Sequence, residues 1–271
     1  MKLVQIWRYP IKSHGSENLE TINILNGKTL PLDRKWAVIH DQSEADGLTW
    51  VPCRNFSRVA KAPQLAAISA NWISENKLEL NHPSIGEICI NPDHDSEKFI
   101  NWVNPLMPEN RAASKKLVRS VQTGMTDTDF PSISIGNLAS HREIEKRHGE
   151  ELSLLRWRCN LWVDGFAPWD EHKWIGKSIK IGNVTFKVEE EIVRCLATTA
   201  NPITGVRDVD TLGLLESMGQ DDFTVAATAT SDGQIKCGDP VDVLELNFHF
   251  LFLKSSTKKI RNWVAYYFLR R

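Results

Sequence analysis

No two cysteines of this sequence stand in a CxxC spacing, and none has histidines gathered around it. Cys53, Cys89, Cys159, Cys195 and Cys237 are scattered along 271 residues, and the eight histidines show no ligand spacing. A zinc site or an iron–sulfur cluster built by this chain alone is therefore not expected. Excess charge of one sign is missing too. The formal net charge is −1, which argues against a general nucleic-acid binder. No apolar run reaches about 18 residues, the length that reads as a transmembrane helix. The opening "MKLVQIWRYPIKS" is interrupted by Arg8 and Lys12 and has no apolar stretch of signal-peptide type. The expected setting is cytoplasmic, with free, reduced thiols. Internal repeats and low-complexity linkers are also absent.

What is present is an ordinary globular composition, 41% apolar and 25% charged. The length suits one large domain or two medium ones. Ten tryptophans point to an aromatic core, or less simply to an aromatic-lined groove. The first half reads as closely spaced strands: "KLVQIWRY", "ETINILNGKTL" with its Asn26-Gly27 turn signal, "RKWAVIH", "PQLAAISANWISENKLELNHP" and "SIGEICINP". Such spacing fits an antiparallel barrel or sandwich better than βαβ units. Helical periodicity follows in "DHDSEKFINWVNPLM" and in "IGNLASHREIEKRHG", which closes on Gly149. Strands return in "RCNLWVDG", "SIKIGNVTFKVEE", "IVRCLATTA" and "FTVAATATSDGQIKCGDPVDVLEL". The expected fold class is β-rich α+β with a few helices. The tail differs. "KSSTKKIRNWVAYYFLRR" carries six Lys/Arg and no acid, and Ile260, Trp263, Val264, Tyr267 and Phe268 form a helical stripe. Packing of that stripe on the body is the favoured reading, and contact with a membrane surface is the alternative.

Three separated stretches offer anion-binding groups. "YPIKS" supplies Lys12 and Ser13, "LPLDRKW" supplies Arg34, and "RWRCN" supplies Arg158 and Asn160. Singly, each is an ordinary surface residue; convergence of several would suit a phosphate, which the arginine fork matches well. A fourth stretch, "EEEIVRCLATTANPITGV", sets Cys195 before two threonines and a Pro/Gly turn. Read by itself, this thiol is a small inert residue on a strand. Alternation along a strand would put Arg194 on the face opposite Cys195, and Cys159 on the face opposite Arg158 and Asn160. His14 reads as a solvated loop histidine, and Asp208 as a pocket candidate or a surface-loop acid.

The order of these stretches, with "VRCLATTANPITGV", "GDPVDVLE", "FPSISIGNL" and "WIGKSIKIGNVTFKV", resembles the MOSC family over about residues 1–247. The subgroup it is most similar to carries an N-terminal MOSC β-barrel domain and includes the amidoxime-reducing components. The resemblance implies a MOSC N-terminal β domain over 1–110, a MOSC β-barrel domain over 111–247, and a basic aromatic tail over 248–271. It implies molybdenum cofactor (molybdopterin) as the cofactor, with Cys195 as the thiolate ligand to the metal. It further implies cofactor contacts from Lys12, Ser13, Arg34, Arg158, Asn160 and Thr198, and from a pair preceding a helix, here Ser134 and Asn137. The sequence departs from the family at Cys159, where a proline is usual, at His14, and after Gly205. The activity implied is reductive oxo transfer on N-hydroxylated or similar small substrates, fed by an external electron-donor protein. Pyridoxal phosphate is not expected. A sulfur carrier using a Cys195 persulfide, or a non-catalytic carrier of the cofactor, are the alternatives.

Overall fold

A computed structural model describes residues 1–244, so the basic aromatic tail expected over 248–271 lies outside the described residues. The chain is strand-rich with few helices, as expected. In order it forms β1 (Lys2–Arg8), β2 (Glu17–Leu19), β3 (Thr21–Ile24), β4 (Trp36–His40), β5 (Ser69–Ser74), β6 (Lys77–His82), β7 (Gly86–Ile90), α1 (Ser96–Val103), β8 (Ser114–Arg119), β9 (Ile133–Asn137) and α2 (Leu138–His148). Then come β10 (Leu161–Asp164), β11 (Ser178–Ile181), β12 (Val184–Val193), α3 (Thr211–Glu216), β13 (Asp222–Ala229), β14 (Gly233–Lys236) and β15 (Val241–Leu244). No helix among these is long and apolar enough to cross a membrane.

The main sheet has eight strands in the order β15-β11-β12-β13-β9-β10-β1-β2. Its core face is built by alternation. In β9, Ile133 and Ile135 point inward and join Leu3, Ile6, Leu161, Phe186 and Val225 in one apolar cluster. Each such fully buried aliphatic side chain is worth about 1.5–3 kcal/mol. Gly136 is required where it stands, because a Cβ there would lie 2.7 Å from the Trp162 ring. The parallel pair β9–β10 needs a crossover, and α2 supplies it. Helix α2 starts on the Asn137 side chain, which accepts from the Ala139 N–H, and stops at Gly149 with φ 94°.

Sheets β4–β8 and β5-β6-β7 enclose a second apolar cluster with α1, which buries Phe99, Ile100 and Val103 against Trp36, Leu65 and Leu80. A third, aromatic cluster gathers Trp157, Trp162 and Phe223 with Cys159 and Ile144. The tryptophans that are buried thus serve a core.

The sequence-level boundary near residue 110 does not divide the sheets. Strand β1 pairs with β10 and β2 extends the same sheet, while β3 forms a two-stranded sheet with β14, so the first 24 residues pair with strands of the second half. The strand order is open rather than a closed barrel. Its far edges approach each other where Leu3 N–H donates to Asp239 C=O, Gly238 N–H to Leu3 C=O, and Val241 N–H to Met1 C=O.

Candidate functional site

The loop after β1, the loop before β4, the entry to β10 and the turn after β12 converge on a cavity of about 230 Å³. Lys12, Ser13, Arg34, Ser134, Arg158, Asn160, Cys195 and Thr198 all line it. Six lining side chains are cationic, namely Lys12, Arg34, Arg58, Arg156, Arg158 and Arg194, and Asp127 is the one carboxylate among the described lining residues. Such an imbalance inside an enclosing wall favours a polyanionic guest.

Three of the lining residues hold left-handed backbone without being glycine: Ser13 (φ 66°), Arg34 (φ 48°) and Arg158 (φ 48°). Each such residue costs about 1–3 kcal/mol and persists only where its surroundings over-determine it. Arg158 owes its conformation to capping the 3-10 turn Leu154–Trp157, which turns its side chain into the cavity.

Asp33 binds the segments together. Its carboxylate, 1% exposed, accepts from the Tyr9 N–H (2.8 Å), from Asn160 Nδ2 (3.1 Å) and from Arg34 Nη1 (2.5 Å). Arg34 Nη2 also donates to the Arg158 carbonyl (2.8 Å). Asn160 Oδ1 accepts from the Ser134 hydroxyl (2.9 Å), and the Asn160 N–H donates back to that hydroxyl (2.9 Å). Arg34 and Arg158 lie over the Tyr9 ring, with Cζ 4.8 and 4.4 Å from its centroid. Burial pushes the phenol of Tyr9 up, out of the ordinary tyrosine range, against the pull of the two guanidiniums. Burial also brings Arg158 down to about 10, a value at which it stays charged at neutral pH.

Lys12 is 5% exposed and donates to the Met125 carbonyl (2.8 Å) and to Asp127 (2.6 Å). The surrounding protein disfavours charge on Asp127, but Lys12, Arg34 and Arg158 outweigh it and hold the carboxyl below its usual range. The Ser13 hydroxyl has no protein partner among the described residues and is free for a guest.

Cys195 is exposed and makes no side-chain hydrogen bond among the described residues. It does not sit on a strand, as the sequence pattern implied. Strand β12 ends at Val193, and Cys195 leads into a 3-10 turn, Leu196–Thr199. Because the chain turns there, strand alternation no longer applies, and Arg194 lines the cavity together with Cys195. Arg194 Nε donates to the Phe223 carbonyl (2.6 Å) and Nη1 to that of Trp157 (3.0 Å), with Thr224 Oγ1 as a further partner. Burial lowers Arg194 to about 10, opposed by the sulfurs of Cys159 and Cys195. Thr198 braces the turn by donating to the Cys195 carbonyl (3.1 Å).

Asn137 is the one expected cofactor contact that is not brought to the cavity. It is fully buried, caps α2, and donates to the Ala167 carbonyl (2.7 Å) and to Glu171 (2.9 Å). All its polar atoms are spent on structure. His14 is likewise not a solvated loop residue. It is fully buried, with Nδ1 2.7 Å from the Lys12 carbonyl and its ring edge-on to Phe99. Burial brings it down to about 4. Asp208 receives Arg156 (2.7 Å) behind the cavity wall, and Cys159 is buried with its thiol pushed up to about 11 by burial.

Among the described residues no three His, Cys, Asp or Glu side chains converge as a metal cluster. A metal seated here would have to bring ligands of its own, with Cys195 as the protein's thiolate. A carrier with a phosphate tail fits that donor set, because cations and unpartnered hydroxyl lie in the same cavity as the thiol. Residues 1–113 match the model of the MOSC N-terminal beta barrel domain, and residues 126–242 match that of the MOSC domain. The chain belongs to the MOSC family. It is similar to mitochondrial amidoxime reducing component 2 of Bos taurus, 22% identical over 289 residues that cover 88% of this chain and 81% of that protein. It is also similar to molybdenum cofactor sulfurase of Drosophila ananassae, 23% identical over 269 residues, 89% of this chain but 34% of that protein. Among solved structures, the YUAD protein of Bacillus subtilis aligns over 89% of this chain and 94% of its own, at 13% identity and a TM-score of 0.46.

In this MOSC protein, Asp33, Arg58, Arg156 and Arg194 are site residues that sequence reasoning did not select. Asp33 carried a signal, since it stands beside Arg34 in "LPLDRKW", but a carboxylate next to an arginine also reads as a surface pair.

Proposed function

We propose that this MOSC protein binds molybdenum cofactor in the cavity, with Cys195 as the thiolate ligand, and reduces N-hydroxylated small molecules. The observation that carries the reading is convergence. Cys195 and seven of the eight expected cofactor contacts, drawn from five separated segments, line one cationic cavity. Similarity to a mitochondrial amidoxime reducing component supports the reductive direction. Lys12, Arg34 and Arg158 would hold the phosphate end, and Ser13, Ser134 and Asn160 would direct it by hydrogen bonds. The cofactor, when bound, supplies a two-electron redox centre able to accept an oxygen atom.

The remaining work falls to the chain. A thiol must lose its proton to ligate, and Cys195 offers an exposed sulfur in the cavity wall for this. Thr198 fixes the turn that aims this sulfur. Asp33 holds Arg34 and Asn160 in register with each other, so the anchoring groups are set before the guest arrives. An N-hydroxylated substrate takes up two electrons and two protons, its N–O bond breaks, and water leaves. The electrons come from an external donor protein, and the expected setting is the cytoplasm.

Metal analysis of wild type and Cys195→Ser, made in a host that synthesises the cofactor, tests this. Molybdenum near one per chain in wild type, pterin fluorescence after oxidation, loss of metal in the variant, and reduction of benzamidoxime with an artificial reductant are the expected results. A wild type without molybdenum but with cyanide-labile sulfur would instead make Cys195 a persulfide carrier. Metal without turnover would make the protein a carrier of the cofactor.

A further inference from the structure

The cavity has two unlike ends. The anchoring groups around Tyr9 occupy one. At the other, Arg58, Val59 and Ala60 stand against the turn that bears Cys195, clasped by Arg207, which donates to the Ala60 carbonyl (3.0 Å) and to the Leu196 carbonyl. Val59 belongs to the apolar cluster on which Ala197 packs, so this end is a compact apolar wall with one guanidinium in it. Among the six lining cations it is the one left open at this end; Arg158, which also lacks a carboxylate partner among the described residues, lies at the anchoring end over the Tyr9 ring and donates to the Gly15 carbonyl (3.5 Å). Lys12, Arg34 and Arg156 are each matched by a carboxylate, Asp127, Asp33 and Asp208. Arg194 is spent on two backbone carbonyls and a threonine. Among the described residues Arg58 meets one side-chain partner, the Cys53 sulfur, at 3.0 Å from Nη1. A thiol is a weak acceptor, so it orients the guanidinium without neutralising it. The rest of the five-donor fork has no protein partner among the described residues.

We infer that Arg58 is the substrate-recognition residue of this site and selects molecules that carry a carboxylate on an apolar body, with the group to be reduced at the opposite end. This rests on the proposed reductase reading. A flat apolar body would lie along Ala60 and Ala197, its carboxylate would pair with Arg58, and its N-hydroxyl would face Cys195. A guanidinium offers a carboxylate a two-point fork that an ammonium cannot match. A cationic substrate would meet the uncompensated charges of the wall and be excluded.

Two probes that differ only in the anionic group test the inference: benzamidoxime and 4-carboxybenzamidoxime, with holoprotein and a chemical reductant. The wild type should prefer the carboxylated compound in kcat/KM. Arg58→Gln should reduce that preference by about tenfold, the order expected for one charge-assisted hydrogen bond, and Arg58→Lys should recover part of it. Equilibrium binding of both probes to holoprotein without reductant, by calorimetry, should give the same ordering. Equal kcat/KM for the two probes in wild type, or loss of molybdenum and pterin from Arg58→Gln, would overturn the assignment; the second result would make Arg58 a cofactor anchor. Selective binding of the carboxylated probe without turnover would uphold Arg58 and overturn the reductase reading alone.

Discussion

Replacing Asp33 by asparagine should loosen the site and the fold together. The carboxylate takes three donors, from Tyr9, Asn160 and Arg34, and is 1% exposed. An asparagine keeps the oxygen that serves Tyr9 and Asn160. Its amide nitrogen then faces Arg34 Nη1 across the 2.5 Å now spanned by the ion pair, donor against donor. Breaking a buried ion pair by removing one partner costs about 3–5 kcal/mol. The Arg34 side chain is 14% exposed and keeps its bond to the Arg158 carbonyl, so the low end, about 3 kcal/mol, is the working figure. With a urea m-value of about 3 kcal/mol/M, the unfolding midpoint should fall by about 1 M. The expected companion is reduced molybdenum content after purification, because Arg34 and Asn160 lose their common anchor. A midpoint within about 0.3 M of wild type, with metal content unchanged, would refute the claim that Asp33 organises the cavity.

Asn137→Ala should behave in the opposite way. It removes a helix cap and a donor to buried Glu171, so a stability loss of about 2–3 kcal/mol is expected, with molybdenum per chain unchanged; loss of metal would return Asn137 to the site. His14 is brought to about 4 by burial, below the value near 6.5 of the unfolded chain. Its contribution is therefore complete above pH 6.5 and is lost as pH falls towards 4. Between pH 6.5 and 5 that amounts to about 2 kcal/mol, and the urea midpoint of His14→Gln should vary less over this range than that of wild type. Iodoacetamide followed by peptide mass mapping should label exposed Cys195 and Cys89 well before Cys159, whose thiol is buried and raised to about 11. Loading with cofactor should protect Cys195 and leave Cys89 reactive.

Local pattern made the strands legible. Alternating or continuous apolar runs with β-branched residues mark β1, β4, β6, β11 and β13, and an acidic first turn or a closing glycine marks α1 and α2. The pairings are not local, and nothing in "KLVQIWRY" says that its partner is Leu161–Asp164. The cavity was legible as separate motifs because lysine, arginine and cysteine carry distinctive chemistry, whereas the residues that assemble it do not. Asp33 and Arg58 look like surface charges until the fold buries one and leaves the other facing a thiol. Asn137 misleads because an asparagine before a helix suits a cap as well as a ligand contact. Arg194 misleads because alternation holds only while a strand continues, and β12 stops one residue earlier.

The pairing of β1 with β10 has a temporal consequence. Lys2 finds its neighbour in Asp164, a residue made roughly 160 positions later, or about 8–30 s at ordinary ribosomal speed. During that interval β1 can pair with β2 along one edge, while its other edge stays open. The nascent chain therefore cannot finish its front end and move on. The order of synthesis is nearly the reverse of what assembly needs, and cellular holding factors would be most useful before residue 164 emerges.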